Sequence, residues 1–391
     1  MRLMIFIKEY LDVEIDKNTS VIINLINGNA DILNNDIAVK IKNNDLINIP
    51  NEIKDLLKER GYLFNEVYGY LDYLNNLNKK LMIESNKTSP NFIYIPTYDC
   101  NLNCYYCFEK AYNKEIDKEF INEGKNIDNF FQMVEKTKKQ IEEKYKENYD
   151  NREILITLTG GEPLLKKNYK IIEKFLSICN ENHYKLSIVT NGTTIEDYID
   201  ILIKYNVKDI QITLDGNKDI HDSIRKYYNG NPSFDKIIKG IDLLSKFSDE
   251  ISVRINITKK NIHSIVELKE IIQKYKNVLF YVYLLQQEGC SDYENIINEL
   301  DGVKYLYKLK EENSILRERL FIDYHGYKIV DGIFKERPFT PKIKVCTAME
   351  NQYIMDCFGG IYKCWWGMGN KEYSVGNIDG DNISLDDDKL T

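Results

Sequence analysis

The sequence predicts an α/β fold in which six strand–helix units form a parallel, partly closed barrel similar to a TIM barrel. From Asn91 onward, apolar runs typical of buried strands alternate with segments of helical periodicity. The 391 residues are enough for two or three domains. In such barrels the functional residues follow the carboxyl ends of the strands, so the site is expected there. The predicted strands cover residues 92–95, 154–159, 186–190, 210–214, 251–257 and 278–285.

The composition excludes several classes of protein. A hydrophobic fraction of 43% with 20 Gly and 7 Pro rules out collagen and bulk disorder. A net charge of −8 disfavours generic binding of polyanions such as nucleic acids. The apolar runs are shorter than the roughly 20 residues that span a bilayer. The amino terminus reaches Lys8 and Glu9 after too few apolar residues for a signal peptide. We therefore expect a cytoplasmic protein without a membrane partner.

Residues 1–85 are predicted to form a small winged-helix-like domain. Two apolar strands, residues 21–26 and 30–33, flank an Asn-Gly turn that is typical of β-hairpins. Pro50 then opens an amphipathic helix. A further helix is expected over residues 66–83, where apolar side chains recur on one side.

The barrel domain is expected over residues 86–319 and a separate segment over residues 320–391. This last segment shows no regular periodicity, carries three cysteines and ends in an acidic run at Thr391. No second packed unit follows it in the sequence, and we expect that the carboxyl terminus is truncated.

Three cysteines, Cys100, Cys104 and Cys107, follow the first predicted barrel strand at the spacing C-x3-C-x2-C. Three thiolates on one short loop can hold three irons of a 4Fe-4S cluster and leave the fourth iron open to an outside ligand. A zinc site and three incidental thiols are the alternatives. Zinc usually takes four nitrogen or sulfur ligands, and no fourth ligand lies nearby in the sequence. The spacing therefore favours an iron–sulfur cluster with an open iron.

A Gly160-Gly161-Glu162-Pro163 segment follows the second predicted strand of the barrel. Two glycines let the backbone approach a ligand closely, and exposed carbonyl groups together with Glu162 can receive an ammonium group. A tight strand-to-helix turn is the alternative, and it would be preferred for an isolated Gly-Gly pair. Because the segment comes after the cysteine loop, ligand contact is the favoured interpretation.

Polar turns follow the next two predicted strands, at Asn191-Gly192 and at residues 213–216. Asn-Gly and Asp-Gly are common turn pairs, so either segment alone indicates only a turn. Their position at successive strand ends favours a shared ligand site.

Through these ordered motifs the sequence resembles the radical S-adenosylmethionine (SAM) enzymes, over roughly residues 92–290. The resemblance implies an oxidoreductase whose open iron binds the amino and carboxylate groups of SAM. An electron from a low-potential donor, such as ferredoxin or flavodoxin, then cleaves SAM to methionine and a 5′-deoxyadenosyl radical, which takes a hydrogen atom from the substrate. The resemblance identifies no catalytic base.

The resemblance also implies which residues contact SAM. Arg225 matches the position of an arginine that binds the SAM carboxylate, and Leu285 matches an adenine-packing position, although a place in the core is nearly as well supported. Tyr106 occupies the aromatic position before the third cysteine, and Asn191 and Thr213 complete the set. The family often has Ser in place of Thr213, a difference that keeps the hydroxyl group.

Arg254 and Asn256 alternate with apolar residues on the fifth predicted strand, so their side chains are expected on one face. Polar groups inside a barrel are paired with each other or face a ligand. The pattern supports a wall of the substrate pocket and an internal polar network equally.

Cys346, Cys357 and Cys364 form a second group of cysteines. Cys346, together with the spacing from Gly359 to Cys364, resembles the start of the SPASM/twitch extension of peptide-modifying radical SAM enzymes, and residues 374–378 also fit it. That extension holds auxiliary Fe–S clusters, but its further cysteines are absent before the sequence ends. The resemblance implies that Cys346 and Cys364 bind an auxiliary cluster and leaves Cys357 as a third ligand or a buried thiol.

The remaining cysteines and histidines indicate no further site. Cys179 lies on an apolar helix face and is expected in the core. Cys290 is expected to be a free thiol near the rim of the site. The four histidines show no ligand-spaced pair.

The amino-terminal domain resembles the peptide-recognition element of several ribosomal-peptide maturases, which bind a leader peptide as an added strand at a sheet edge. A purely structural role is the alternative. With the carboxyl-terminal cysteines, the resemblance implies a maturase that forms a thioether or carbon–carbon cross-link in a ribosomally synthesised peptide.

Two other functions compete with this prediction. Anaerobic sulfatase maturases, which form formylglycine, carry an Asp as the proposed base where this sequence has Trp365. A non-catalytic peptide-binding module with a structural cluster would not need the intact GGEP segment. A nucleic-acid-modifying enzyme is disfavoured by the negative net charge.

Overall fold

The computed structural model describes residues 4–86, 89–111, 125–248, 250–285, 293–324, 346–349, 351–379 and 382–386. The prediction about Cys290 concerns a residue outside these ranges. Contacts divide the chain into two units, of which the first contains residues 4–86 and Cys346 and the second contains the other described residues. Within the described ranges, no helix is long and apolar enough to cross a bilayer.

Two small antiparallel sheets and three helices make up residues 4–86 of the first unit. Its elements are β1 (Ile5–Phe6), β2 (Tyr10–Glu14), β3 (Thr19–Asn24), β4 (Ala30–Asn34), α1 (Asn35–Lys42), α2 (Asn51–Glu59), β5 (Leu63–Phe64) and α3 (Val67–Asn86). Strands β2, β3 and β4 pair in that order, and β1 pairs with β5. The predicted hairpin is confirmed as β3–β4, with Gly28 in its turn at a φ of 81°. Helix α2 begins directly after Pro50, as the sequence predicts.

The outer strands of the three-stranded sheet, β2 and β4, each leave one edge unpaired among the described residues. The backbone N–H of Ile15 donates to the carbonyl of Thr19, and backbone direction alternates along a strand, so the N–H of Asp12 points away from β3. The same alternation directs the backbone of Ile32 outward from β4, where its side chain is 75% exposed. Either edge can therefore accept an added strand.

One large sheet dominates the second unit. Its described strands and helices are β6 (Asn91–Ile95), α4 (Lys125–Tyr145), β7 (Leu155–Leu158), α5 (Tyr169–Glu181), β8 (Lys185–Thr190), α6 (Ile195–Lys204), β9 (Asp209–Thr213), α7 (Lys218–Ile224), α8 (Phe234–Leu244), β10 (Ile251–Ile257), α9 (Lys269–Lys274), β11 (Val278–Leu284), α10 (Glu299–Glu312), α11 (Ser314–Arg319), β12 (Leu320–Ile322), β13 (Gln352–Asp356), β14 (Gly360–Tyr362), β15 (Gly376–Asp379) and β16 (Asn382–Leu385). Strands β6 to β11 lie side by side in chain order and pair in parallel. The six predicted barrel strands are thus confirmed, and their carboxyl ends share one edge of the sheet.

The chain after Leu320 is more regular than the sequence predicts. Strand β12 pairs in parallel with β11, and β13 pairs in parallel with β6. Strands β14, β15 and β16 extend the sheet as antiparallel neighbours. The added strands have three to five residues each, which is too few for sequence periodicity to reveal them. Because β6 and β11 pair with added strands rather than with each other, the barrel is open in the described part of the chain.

Helix α5 shows how the helices cover this sheet. Its apolar face buries Ile172, Phe175, Leu176 and Cys179, at the spacing that the sequence predicts. The Phe175 ring stacks on the Tyr94 ring of β6 with a centroid distance of 5.3 Å. Burying a side chain such as Leu or Phe contributes roughly 1.5–3 kcal/mol. Cys179 is 1% exposed, which confirms its predicted place in the core.

Candidate functional site

The loop after β6 carries Cys100, Cys104 and Cys107. Leu102 anchors this loop, because its backbone N–H lies 3.4 Å from Cys100 Sγ and the residue forms a β-bridge with Tyr227. Cys104 is buried, and the other two thiols are half-buried. The cysteines are therefore held on an ordered loop at the carboxyl edge of the sheet.

A cavity of about 520 Å³ lies at the carboxyl ends of β6 to β11. The loops that follow these strands and the strands themselves provide its wall. Ten of the residues predicted to bind the cluster or SAM line it: Cys100, Cys104, Tyr106, Cys107, Gly160, Gly161, Asn191, Thr213, Arg225 and Leu285. Glu162 does not line it. Trp365 and Trp366, from the turn after β14, add aromatic surface that the sequence did not predict.

The close approach of the cysteine loop explains the two glycines after β7. A Cβ on Gly161 would lie 2.4 Å from the carbonyl oxygens of both Tyr98 and Asp99. Gly160 has a φ of 126°, and a Cβ there would lie 2.5 Å from the carbonyl oxygen of Thr97. Only glycine permits this contact between the two backbones, which places the Gly-Gly segment directly against the chain entering the cysteine loop.

Glu162 links two strand ends instead of facing the cavity. Its buried carboxylate accepts hydrogen bonds from Leu164 N at 2.9 Å, from the Thr190 hydroxyl at 2.7 Å and from Asn191 N at 2.6 Å. Burial raises the pKa of Glu162, and these hydrogen bonds oppose the shift. Both carboxylate oxygens are thus engaged within the protein, and the predicted contact of Glu162 with an amino group stays a prediction.

A buried polar network joins the cysteine loop to β9 and β10. The Tyr106 hydroxyl donates to Asp215 and accepts from Arg225 Nη1 at 2.5 Å and from Asn256 Nδ2 at 3.1 Å. Burial raises the pKa of Tyr106 well above its ordinary value, so the phenol stays a neutral donor. Burial alone would lower the pKa of Arg225, but Cys104, Tyr106 and Asp215 raise it, so the guanidinium stays charged.

The polar pair on β10, Arg254 and Asn256, combines the two roles that the sequence left open. Both side chains line the cavity. Arg254 Nε donates to Asn256 Oδ1 at 2.9 Å, and its guanidinium lies 4.3 Å from the centroid of the Tyr283 ring. The pair is therefore a hydrogen-bonded network that also forms part of the cavity wall.

Two atoms in the cavity wall, Arg225 Nε and Glu109 Oε2, are buried and have no hydrogen-bond partner among the residues that the structure describes. Glu109 lies in a short 3-10 turn two residues after Cys107 and is 7% exposed. Burial, and then the charge of Glu162, raise the pKa of Glu109 to about 8. Buried polar atoms are normally paired, so both atoms are available to a ligand in the cavity. Sequence reasoning missed Glu109 because a carboxylate in a polar loop is usually solvated, and its closeness to Cys107 was the only signal.

Three thiols on one loop are the donor set that a 4Fe-4S cluster with one open iron takes. Among the described residues, no three or more His, Cys, Asp or Glu side chains converge as ligands of one metal ion. Cysteines that bind three separate irons of a cluster need no such convergence. Burial, and then the charge of Glu162, raise the pKa of the Cys100 thiol to about 12. A bound metal deprotonates a coordinating thiol, so this raised pKa does not oppose ligation.

The carboxyl-terminal cysteines lie in different surroundings. Cys357 follows β13 and packs against an apolar cluster that includes Tyr98, where burial and then Asp356 raise the pKa of its thiol. Cys364 directly precedes the 3-10 turn Trp365–Gly367. Cys346 is exposed and belongs to the first unit. Ligation of an auxiliary cluster by these cysteines stays a prediction.

A model of the radical SAM superfamily matches residues 94–279 of the chain. An uncharacterized protein of Methanocaldococcus jannaschii is 34% identical over 217 residues, which make up 52% of this chain and 68% of that protein. The match to the superfamily model begins within β6 and ends within β11, so it coincides with the parallel strands that surround the cavity.

Two solved structures share the fold. Native anSMEcpe with bound AdoMet has a TM-score of 0.56 and 20% identity, and the match covers 77% of this chain and 80% of that chain. Streptococcus suis SuiB bound to precursor peptide SuiA has a TM-score of 0.52 and 16% identity, with 95% of this chain and 85% of that chain covered. With 95% of the chain covered, the similarity to SuiB includes residues of both units.

Proposed function

The chain belongs to the radical SAM superfamily, and from this premise we propose that it modifies a ribosomally synthesised peptide by forming a thioether or carbon–carbon cross-link. Enzymes of this superfamily use a 4Fe-4S cluster and SAM, which when bound supply a 5′-deoxyadenosyl radical. The observation that carries the proposal is the cavity, in which the three cysteines and residues from successive strand ends form one wall.

Different residues of the cavity would bind the cluster, SAM and the substrate. Cys100, Cys104 and Cys107 would hold the cluster. The unpaired Nε of Arg225 would bind the SAM carboxylate, because a guanidinium and a carboxylate form charge-assisted hydrogen bonds. The network around Tyr106 orients this guanidinium before any ligand arrives. Arg254 and the two tryptophans line the same cavity and would contact a substrate side chain.

The first unit supports a peptide as the substrate. Its antiparallel sheet has unpaired edges at β2 and β4 among the described residues, and an extended leader peptide can add to such an edge through backbone hydrogen bonds. SuiB, which shares the fold over 95% of the chain, is described as bound to a precursor peptide. These two observations support recognition of a leader by residues 1–85.

The radical chemistry is tested by anaerobic reconstitution followed by incubation with SAM and a low-potential reductant. We expect 5′-deoxyadenosine, measured by liquid chromatography and mass spectrometry. Cys104→Ala should abolish its formation, because the cluster loses one of three ligands. Cys179→Ala is the matched control, since Cys179 is buried on α5 outside the cavity. Turnover that persists in Cys104→Ala would contradict the assignment.

Peptide recognition is tested at the two sheet edges, with precursor peptides encoded beside the gene as candidate substrates. Asp12→Pro and Ile32→Pro each remove one outward N–H without removing a bond to β3. One of the two proline variants should reduce modification of the precursor by about tenfold or more. Its cleavage of SAM in the absence of peptide should stay unchanged. Asp12→Ala and Ile32→Ala, which keep the N–H, should modify the precursor as the wild type does. Equal modification by all four variants would contradict leader binding at these edges. Formylglycine in a sulfatase peptide, without cross-linking of any precursor, would show sulfatase maturation instead.

A further inference from the structure

Arg254 places a positive charge in the wall of the cavity. The residue lies on β10, and its side chain is half-buried. Arg254 Nε donates to Asn256 Oδ1 at 2.9 Å, and the guanidinium lies 4.3 Å from the centroid of the Tyr283 ring. A ring on one face and an amide at Nε fix the plane of the guanidinium. The charge is therefore held in one orientation at the cavity wall.

The partners of this guanidinium in the described part of the chain are all neutral. Besides Asn256 and Tyr283, Arg254 interacts with the Tyr281 hydroxyl. Burial raises the pKa of Tyr281 to about 12 although the charge of Arg254 opposes the shift, so this phenol is uncharged at neutral pH. Arg254 forms no ion pair among the described residues, whereas ion pairs with carboxylates are formed by Arg60, Arg152, Arg225 and Arg317.

Two acids in or near the cavity do not compensate the charge of Arg254. Asp215 lies 3.5 Å from Arg225 Nη1 and accepts hydrogen bonds from Asn256 N and the Tyr106 hydroxyl. Arg225 also lowers the pKa of Asp215 more strongly than Arg254 does. Glu109, which lines the cavity, leaves its Oε2 without a partner among the described residues instead of binding Arg254. A charge removed from water is costly unless it is paired, so the cavity favours an anionic group at Arg254.

We infer that Arg254 binds a carboxylate of the peptide, which belongs to an acidic side chain or to a free carboxyl terminus. The inference rests on the proposed function in taking a peptide as the substrate. A guanidinium and a carboxylate form paired, charge-assisted hydrogen bonds, and a guanidinium that is already oriented loses little entropy in forming them. The contact is close to the cysteine loop, because Asn256 joins Arg254 to the Tyr106 hydroxyl. Arg254 therefore selects acidic peptides and positions them beside the cluster.

Phenylglyoxal, which modifies arginine side chains, tests this contact without a known substrate. The anaerobically reconstituted full-length protein is labelled with SAM present and without reductant, and the adduct at Arg254 is measured by mass spectrometry of a digest. The probes are acetyl-aspartate methylamide for an acidic side chain, acetyl-alanine for a free carboxyl terminus, and acetyl-asparagine methylamide as the neutral control.

At least one of the two carboxylates should slow the labelling of Arg254 by about threefold or more, as expected for a probe at twice its dissociation constant. The carboxylate that protects Arg254 identifies the source of the group. Acetyl-asparagine methylamide should not slow the labelling. Arg152, whose side chain is 77% exposed, is the internal control and should react equally under all conditions. No slowing by either carboxylate, or equal slowing by the neutral amide, overturns the inference.

The precursor peptide that the wild type modifies supplies a second test, in which its affinity is measured by fluorescence anisotropy with SAM and without reductant. Replacing one Asp or Glu of the peptide by Asn or Gln, or amidating its carboxyl terminus, should weaken binding to the wild type by about tenfold. Arg254→Gln should bind the acidic and the neutral peptide equally, and Arg254→Lys should restore part of the difference. Arg152→Gln is the matched control and should keep the wild-type difference.

Two outcomes of this second test also overturn the inference. One is an equal affinity of the wild type for all the peptides. The other is a SAM affinity that falls in Arg254→Gln as far as the peptide affinity does, measured by equilibrium dialysis, because Arg254 would then bind SAM instead of the peptide. If SAM is cleaved but no precursor is modified, the proposed function fails, while the labelling still decides whether Arg254 binds a carboxylate.

Discussion

Gly161→Ala tests whether close backbone packing positions the cysteine loop. The φ of Gly161 is outside the left-handed region, so alanine meets no conformational penalty there, and its effect comes from the added methyl group alone. That Cβ would lie 2.4 Å from two carbonyl oxygens, those of Tyr98 and Asp99. Both atoms belong to the backbone that enters the cysteine loop.

The expected size of the effect follows from these contacts. An ordinary contact between carbon and oxygen is at least about 3.4 Å, so one of the two segments must move by about 1 Å. The movement stretches the hydrogen bond of 2.8 Å from Glu162 N to the Asp99 carbonyl. Overpacking of about 1–3 kcal/mol and the loss of one hydrogen bond of about 1 kcal/mol give a destabilisation of about 2–4 kcal/mol. A misplacement of about 1 Å near reacting groups lowers the rate by about a hundredfold.

The assays are iron and sulfide content after anaerobic reconstitution, the rate of 5′-deoxyadenosine formation, and chemical denaturation. Gly161→Ala should lower the iron and sulfide content, the rate of 5′-deoxyadenosine formation and the free energy of unfolding. Gly69→Ala is the control, because a Cβ at Gly69 in α3 meets no atom within 4 Å, and alanine raises helix propensity by about 1 kcal/mol. Wild-type iron content together with a wild-type rate in Gly161→Ala would refute the argument that this contact positions the cysteines.

Three further predictions follow from other parts of the second unit. Tyr106→Phe should lower the free energy of unfolding by about 2–4 kcal/mol in chemical denaturation, because it leaves the buried Asp215 without its phenol donor; an unchanged value would contradict the network. Burial, and then the charge of Arg225, lower the pKa of His221 to about 3, below its ordinary 6.5. As the pH falls, the His221 imidazole is therefore protonated in the unfolded chain before it is protonated in the folded protein. Between neutral pH and pH 5, the wild type should lose about 2 kcal/mol of stability relative to His221→Asn. If the stabilities of the two proteins change in parallel with pH, this prediction is contradicted. Cys364→Ala should lower bound iron without removing the response of the first cluster to SAM, and unchanged iron would exclude Cys364 as a ligand of an auxiliary cluster.

The sequence was sufficient to predict the parallel strands β6 to β11 but not the short strands that follow Leu320. Strands β6 to β11 each bury an apolar face and are separated by amphipathic helices, so their positions follow from periodicity. Strands β13 to β16 have three to five residues and pair mainly with each other. Their existence depends on β6 offering an edge for β13, which is a tertiary property.

In the site, too, some features could be predicted from local sequence motifs, and others depend on how the chain folds. Cysteine spacing and the motifs at strand ends led to ten residues that line one cavity, because the carboxyl ends of parallel strands meet at one edge. Glu162 and Glu109 could not be told apart in this way. Both are carboxylates in loops after neighbouring strands, and only the folded chain shows that the first accepts three internal hydrogen bonds while the second has an unpaired oxygen.

The proposal that the cysteine loop binds a cluster with an open iron is tested most directly by electron paramagnetic resonance of the reduced, reconstituted protein with SAM that carries nitrogen-15 in its amino group. We expect the signal of a reduced 4Fe-4S cluster that changes when SAM is added and shows magnetic coupling to the labelled nitrogen. Cys104→Ala should show neither feature. A cluster signal that SAM leaves unchanged, or zinc bound in place of iron at Cys100, Cys104 and Cys107, would contradict this assignment.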